Sequence, residues 1–170
     1  LDDAESRARE AEERHAALID GFHGLVDTAV AERLASGGPG RPPIPTLAEA
    51  LRRAEARASH LVFLPAAHQA AALHPYARPD VVFEDLATLD ALAGRWRAGD
   101  VSGSLGQEAL HAGLPWSGGV SLTARQQYAT SYTFVWNGEA VLAGPHLRYG
   151  GGGPPARHCR VYLALHPPTR

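Results

Sequence analysis

The stretch that decides the fold runs from Tyr128 to Leu165 and reads YATSYTFVWNGEAVLAGPHLRYGGGGPPARHCRVYLAL. Its side-chain period is two: Tyr132, Phe134 and Trp136 alternate with Thr133 and Val135, the pattern of a strand with unlike faces. Asn137-Gly138 follows, a pair suited to a type I′ turn because both central residues need positive φ. The expected return strand is Glu139 to Ala143. Pro145 precedes a short strand from His146 to Tyr149, Gly150 to Pro155 is a mobile loop, and a last strand covers Arg157 to Leu165. On that last strand Cys159, Val161, Leu163 and Leu165 form the apolar face, while His158, Arg160, Tyr162 and Ala164 face the other way.

Upstream the period is near four, so the chain reads as α+β: a helical arm and helical region, then a small, mainly antiparallel sheet. In residues 1–36, Ala4, Ala8, Ala11, Leu18, Phe22, Leu25, Ala29 and Leu34 recur at mostly helical steps. An isolated helix this polar is marginal in water, so the arm is expected to lie against a partner, as in a coiled coil. Residues 37–45 (GGPGRPPIP) form a linker that neither helix nor central strand accommodates. The helical region spans 46–120. Thr46 with Glu49 and Ser104 with Gln107 have capping-box spacing, Pro65 suits a first helical turn, and Gly99 and Gly113 suit helix ends. Leu47, Ala50, Leu51, Ala54 and Ala58 make one buried stripe; Val82, Leu86, Leu89, Ala93 and Trp96 make another. Leu61 to Leu64 reads as core of undecided type, and Leu114 to Gly119 as a loop. Residues 121–170 begin with a helix capped by Ser121 that presents Arg125 and Tyr128 about one turn apart, and continue into the sheet.

Composition narrows the classes. All 16 Lys and Arg residues are Arg, Met is absent, and Ala, Gly and Pro abound, a bias of GC-rich bacterial genomes that weakens propensity arguments. No run of about 18 apolar residues and no signal-peptide pattern is present, which makes a cytoplasmic protein the default and leaves no membrane partner. A single Cys159 excludes an internal disulfide framework. The start at Leu1 and the stop at Thr169-Arg170, just after His166-Pro167-Pro168, read as those of a piece of a longer protein. Net charge is only -2, but residues 1–36 hold nine acids against four Arg, whereas residues 110–170 hold five Arg against Glu139 alone. An anionic partner is therefore expected at the sheet end.

The residues with chemistry cluster there. His146 and Arg148 share one face of their strand, and His158, Arg160 and Tyr162 share one face of the next. If the strands pair with these faces together, cationic and titratable groups converge on a surface suited to phosphate. RNA cleavage without a metal needs such parts: a base for the 2′-hydroxyl, a cation for the phosphorane and an acid for the leaving oxygen. His146, His158, Arg160 and Tyr162 are the candidate catalytic residues; Arg125, Arg148 and Arg157 are candidate nucleic-acid contacts. The alternative is the solvated outer face of a basic sheet. A metal set of His146, His158 and Cys159 is disfavoured because adjacent strand residues point apart, and His60, His68 and His74 read as surface or satisfied core histidines. The glycine run is no nucleotide-binding fingerprint, and no cofactor or nucleophile-elbow motif is present.

A capped helix leading into a hairpin and then into HLRYG and RHCRVYLAL resembles, over residues 121–165, the small helix-plus-sheet domain of RelE-like ribonuclease toxins and related modules of bacterial conflict systems. That superfamily uses Arg, His, Tyr and Lys on its sheet face in variable positions, so the resemblance implies RNA-binding or RNA-cleaving chemistry without fixing any residue. The chain departs from it in having no Lys and in stopping where the resemblance implies a further strand. The competing expectation is a non-enzymatic regulatory or scaffolding module that forms homo-oligomers, or holds a partner protein, through its N-terminal helix. A hydrolase or transferase acting on a small anion in the glycine loop is a third reading.

Overall fold

The computed structural model describes residues 43–119, 127, 130, 132–151 and 153–165. The chain divides into two compact units, Leu1–Arg41 and Pro42–Arg170, and all described residues belong to the second. The expected arm over 1–36, Arg125 and Tyr128 lie outside the described residues.

The second unit is α+β. Its helices are α1 (Leu47–Glu55), α2 (Pro65–Leu73), α3 (Pro79–Ala98) and α4 (Leu105–His111). Its strands are β1 (Trp116–Ser117), β2 (Thr133–Trp136), β3 (Glu139–Leu142), β4 (His146–Tyr149) and β5 (Cys159–Tyr162). Among the described residues no helix is long and apolar enough to cross a membrane.

Local chemistry explains where the helices begin and end. The Thr46 hydroxyl accepts from the Glu49 amide at 3.2 Å and starts α1. Ser104 and Gln107 cap α4 reciprocally, so two free backbone donors are satisfied by each other's side chains. Pro65 and Pro79 stand in the first turns of α2 and α3, where their missing N–H costs nothing. Gly99 ends α3 at φ 82.

Leu47, Ala50, Leu51 and Ala54 of α1 are buried and pack on α3 and α2. On α3, Val82, Leu86 and Leu89 are buried as the periodicity predicts, together with Val81, Phe83, Asp85 and Leu92, whereas Ala93 and Trp96 are only half-buried. So broad a buried surface marks α3 as the helix the unit packs around. Leu61 to Leu64 adopts no regular structure. Asp90 of α3 anchors the segment at its start: one carboxylate accepts the successive backbone N–H groups of Ser59, His60 and Leu61 at 2.7–3.1 Å.

The strands form two antiparallel sheets, β1-β4-β5 and the hairpin β2-β3. Asn137 (φ 51) and Gly138 (φ 83) make the expected turn. In the larger sheet β4 is central, with Leu147 opposite Val161 and Tyr149 opposite Cys159. Leu147, Tyr149 and Cys159 are buried and carry the face turned to the core, where the Tyr149 ring meets Tyr76 at 5.8 Å. Burial, followed by the Asp85 carboxylate beside it, pushes the Tyr149 phenol well above its ordinary value.

Two strand assignments differ from the sequence reading. Trp116 and Ser117, expected in a loop, form β1 and pair with Leu147 and His146; two residues are too few to show an alternation. The last strand begins at Cys159 rather than Arg157, because Pro155, Ala156 and Arg157 form a 3-10 turn. Proline fixes φ and brings no donor to a ladder, so Arg157 is an exposed turn residue, outside the strand in which it was expected. Pairing continues beyond β5, where the Leu163 amide donates to the Pro145 carbonyl at 2.8 Å.

Candidate functional site

The register of β4 and β5 brings the candidate residues together. His146 stands opposite Tyr162 and Arg148 opposite Arg160; residues directly opposite in an antiparallel pair project to the same side. This side is the reverse of the one carrying Leu147, Tyr149, Cys159 and Val161. Ser117, paired with His146 from β1, joins it. The convergence that the sequence allowed conditionally is thus present for His146, Arg148, Arg160 and Tyr162.

The face is covered at one end and open at the other. The Tyr162 ring lies 4.9 Å from that of His146, and Tyr132, just before β2, meets Tyr162 at 5.1 Å. His146 is only 7% exposed beneath this aromatic pair, while Tyr162 is 37% exposed. At the other end Arg160 is exposed, and Arg148 and His158 are half-buried. The open surface expected around His146 is therefore limited to the arginine end, because the tyrosines need cover for their rings and find it over the imidazole.

Among the described residues, the charge on this face is uncompensated. Among the described residues no carboxylate lies within ion-pair distance of Arg148 or Arg160. Like charges directly opposite on paired strands destabilise a sheet, so the pair is a standing electrostatic cost that a bound anion would relieve. His146 registers the same field. Burial lowers its pKa first, contact with the Gly144 backbone works the other way, and Arg160 and Arg148 lower it further, so it is neutral at pH 7. Burial, with the Tyr132 hydroxyl as the next cause, holds the Tyr162 phenol above its ordinary value against the opposing pull of Arg160. Tyr162 is therefore protonated, and a proton donor, at neutral pH.

His158 precedes β5 in an extended conformation (φ -136, ψ 147). Its ring meets that of His74, at the end of α2, edge to face with centroids 6.4 Å apart. His74, read from sequence as surface or satisfied core, is neither: it is half-buried and its Nδ1 is shut off from solvent without a hydrogen-bond partner. Nothing in the sequence links positions 74 and 158, which are brought together where the segment after α2 meets the turn before β5, the Ala77 amide donating to the Ala156 carbonyl at 2.9 Å. Tyr132 and Ser117 were missed for a similar reason.

Cys159 points to the core face, and burial pushes its thiol up to about 11. That face, shared with Leu147 and Tyr149, is the reverse of the side that carries His146, so His146, His158 and Cys159 do not make a common site. Among the described residues no group of three His, Cys, Asp or Glu side chains is placed to hold a metal ion. Compared with protein-family models, with curated proteins and with solved structures, the chain matches none.

Proposed function

We propose that the polar face of β4 and β5 binds the phosphates of a nucleic acid, RNA foremost, and that the chain is a nucleic-acid-directed domain of the effector type found in bacterial conflict and toxin systems. The observation that carries this reading is the opposition of Arg148 and Arg160 without an acidic partner among the described residues. Guanidinium groups suit this task because their planar fork matches two phosphate oxygens at once. The partly exposed Tyr162 ring beside them gives an unpaired base a surface on which to stack.

The same groups supply the parts of a metal-independent cleavage. His158 at the open end accepts the proton of a 2′-hydroxyl, Arg148 and Arg160 neutralise the charge that develops on the phosphorus, and Tyr162 donates to the departing 5′-oxygen. His146, beneath Tyr162, acts by positioning that ring rather than by touching substrate.

The test is fluorescence anisotropy with a labelled single-stranded RNA across a salt titration, together with an assay for cut product. Affinity falls as salt rises, and replacing both Arg148 and Arg160 by alanine weakens binding about ten-fold and reduces the log-log salt slope by about 1.4, or about 0.7 for each phosphate that is no longer neutralised. No affinity for RNA or DNA at low salt, or a double variant that binds like the parent, refutes the proposal.

A further inference from the structure

Polar atoms buried in folded proteins are nearly always hydrogen-bonded, and an orphan calls for an explanation such as an ion or ligand. Among the described residues, four nitrogens on and beside this sheet face are orphans: Nδ1 of His74, His146 and His158, and Nε of Arg148. His146 lies beneath the Tyr162 ring. The other three border the open end. His158 is the diagonal neighbour of Arg148 across the β4-β5 pair, a separation that a long side chain spans, and His74 adjoins His158. Beyond Arg148 along β4, the residue reached after Tyr149 is Gly150, whose backbone lies against that of Arg157 and His158. The place a side chain would take at Gly150 is filled by the Arg157 carbonyl, which holds His158 close to the end of β4.

We propose that this end of the face seats a tetrahedral oxyanion of phosphate size, held by Nδ1 of His158, Nδ1 of His74 and Nε of Arg148, with the Arg160 guanidinium at its edge. Three donors from three elements match the three free oxygens of a terminal phosphate monoester, or three of the four of inorganic phosphate, better than the two of an internal phosphodiester. Each imidazole donates in the tautomer that places its proton on Nδ1. The seat itself stands on the orphaned nitrogens. Only its assignment to the end of a polynucleotide rests on the function proposed above, and there it would give a preference for phosphorylated ends.

Two measurements on the intact chain separate these points. Thermal unfolding is followed with inorganic phosphate against chloride at equal ionic strength, and one single-stranded RNA is compared by anisotropy with a 5′-phosphate, a 3′-phosphate or hydroxyl ends. Inorganic phosphate raises Tm in a saturable way, and one phosphorylated end tightens binding about ten-fold over hydroxyl ends, a gain in keeping with charge-assisted hydrogen bonds. His74→Gln removes both effects while leaving the affinity for hydroxyl-ended RNA unchanged. Stabilisation by phosphate without RNA binding establishes the seat and overturns the polynucleotide reading. RNA binding indifferent to end phosphates, with no effect of inorganic phosphate, overturns the seat and leaves the polynucleotide reading standing. These comparisons are made first on the parent chain, so the result does not depend on any variant folding.

Discussion

Replacing Asp90 by alanine removes the group that ties the segment between α1 and α2 to α3. Its carboxylate accepts from the Ser59 amide at 3.1 Å, the His60 amide at 2.7 Å and the Leu61 amide at 2.9 Å. Hydrogen bonds to a charged acceptor contribute about 1.5–3 kcal/mol each when buried, but Ser59 and His60 are exposed and Leu61 is half-buried. Water replaces the missing acceptor at the first two positions at small cost, which leaves about 2 kcal/mol for the whole substitution, well below three full bonds. For a chain of this size that corresponds to a fall in Tm of about 4–8 °C. Asp90→Asn keeps an acceptor oxygen and loses the charge, so about half the effect is expected. Calorimetry with urea unfolding measures the size, and hydrogen exchange measures the cause: the amides of 59–61 lose protection while those of β4 do not. A loss below about 0.5 kcal/mol, the scale of an ordinary surface substitution, or unchanged exchange at 59–61, would refute the anchoring role.

Two further outcomes follow from the site. An unfolded histidine titrates near its ordinary value of about 6.5, whereas folded His146 is held lower by burial, Arg160 and Arg148. Its contribution is therefore fully present above about pH 6.5 and is lost as pH falls through the folded value. The urea midpoint of the parent chain should drop between pH 7 and 5 by more than that of His146→Leu; parallel profiles over this window refute the assignment. Gly150→Ala places a Cβ against the Arg157 carbonyl at φ 67, while Gly153→Ala at φ 92 meets nothing nearby. Both carry the left-handed cost of about 1–2 kcal/mol, and only the first adds a backbone clash, so it should melt several degrees lower. Equal melting temperatures refute the close approach of the Gly150 and Arg157 backbones.

Much of the candidate site was legible because strand alternation alone sorts side chains into two sets: His146 with Arg148, and His158 with Arg160 and Tyr162. Whether the sets meet depends on register, and a slip of one residue would have turned one of them to the core. The match of Leu147 to Val161 and of Tyr149 to Cys159 settles it, since turning these four to the core requires the polar sets to coincide. Cover over His146 was legible only in part: the register sets Tyr162 opposite it, whereas Tyr132, which packs on Tyr162, comes from outside the sheet.

The sequence by itself determined the features that a few neighbouring residues control: the Asn137-Gly138 turn, the caps at Thr46 and Ser104, the proline starts of α2 and α3, the glycine end of α3, and with them the α+β class. Each rests on backbone dihedrals or on hydrogen bonds spanning three or four residues, so no distant partner is needed. Only the tertiary structure decided that Ser117 belongs to the sheet, that Asp90 holds amides some thirty positions earlier, and that His74 meets His158. Those neighbours are made when packed helices and strands bury their apolar faces together, and polar side chains far apart in sequence are then left side by side by surfaces that came together for other reasons.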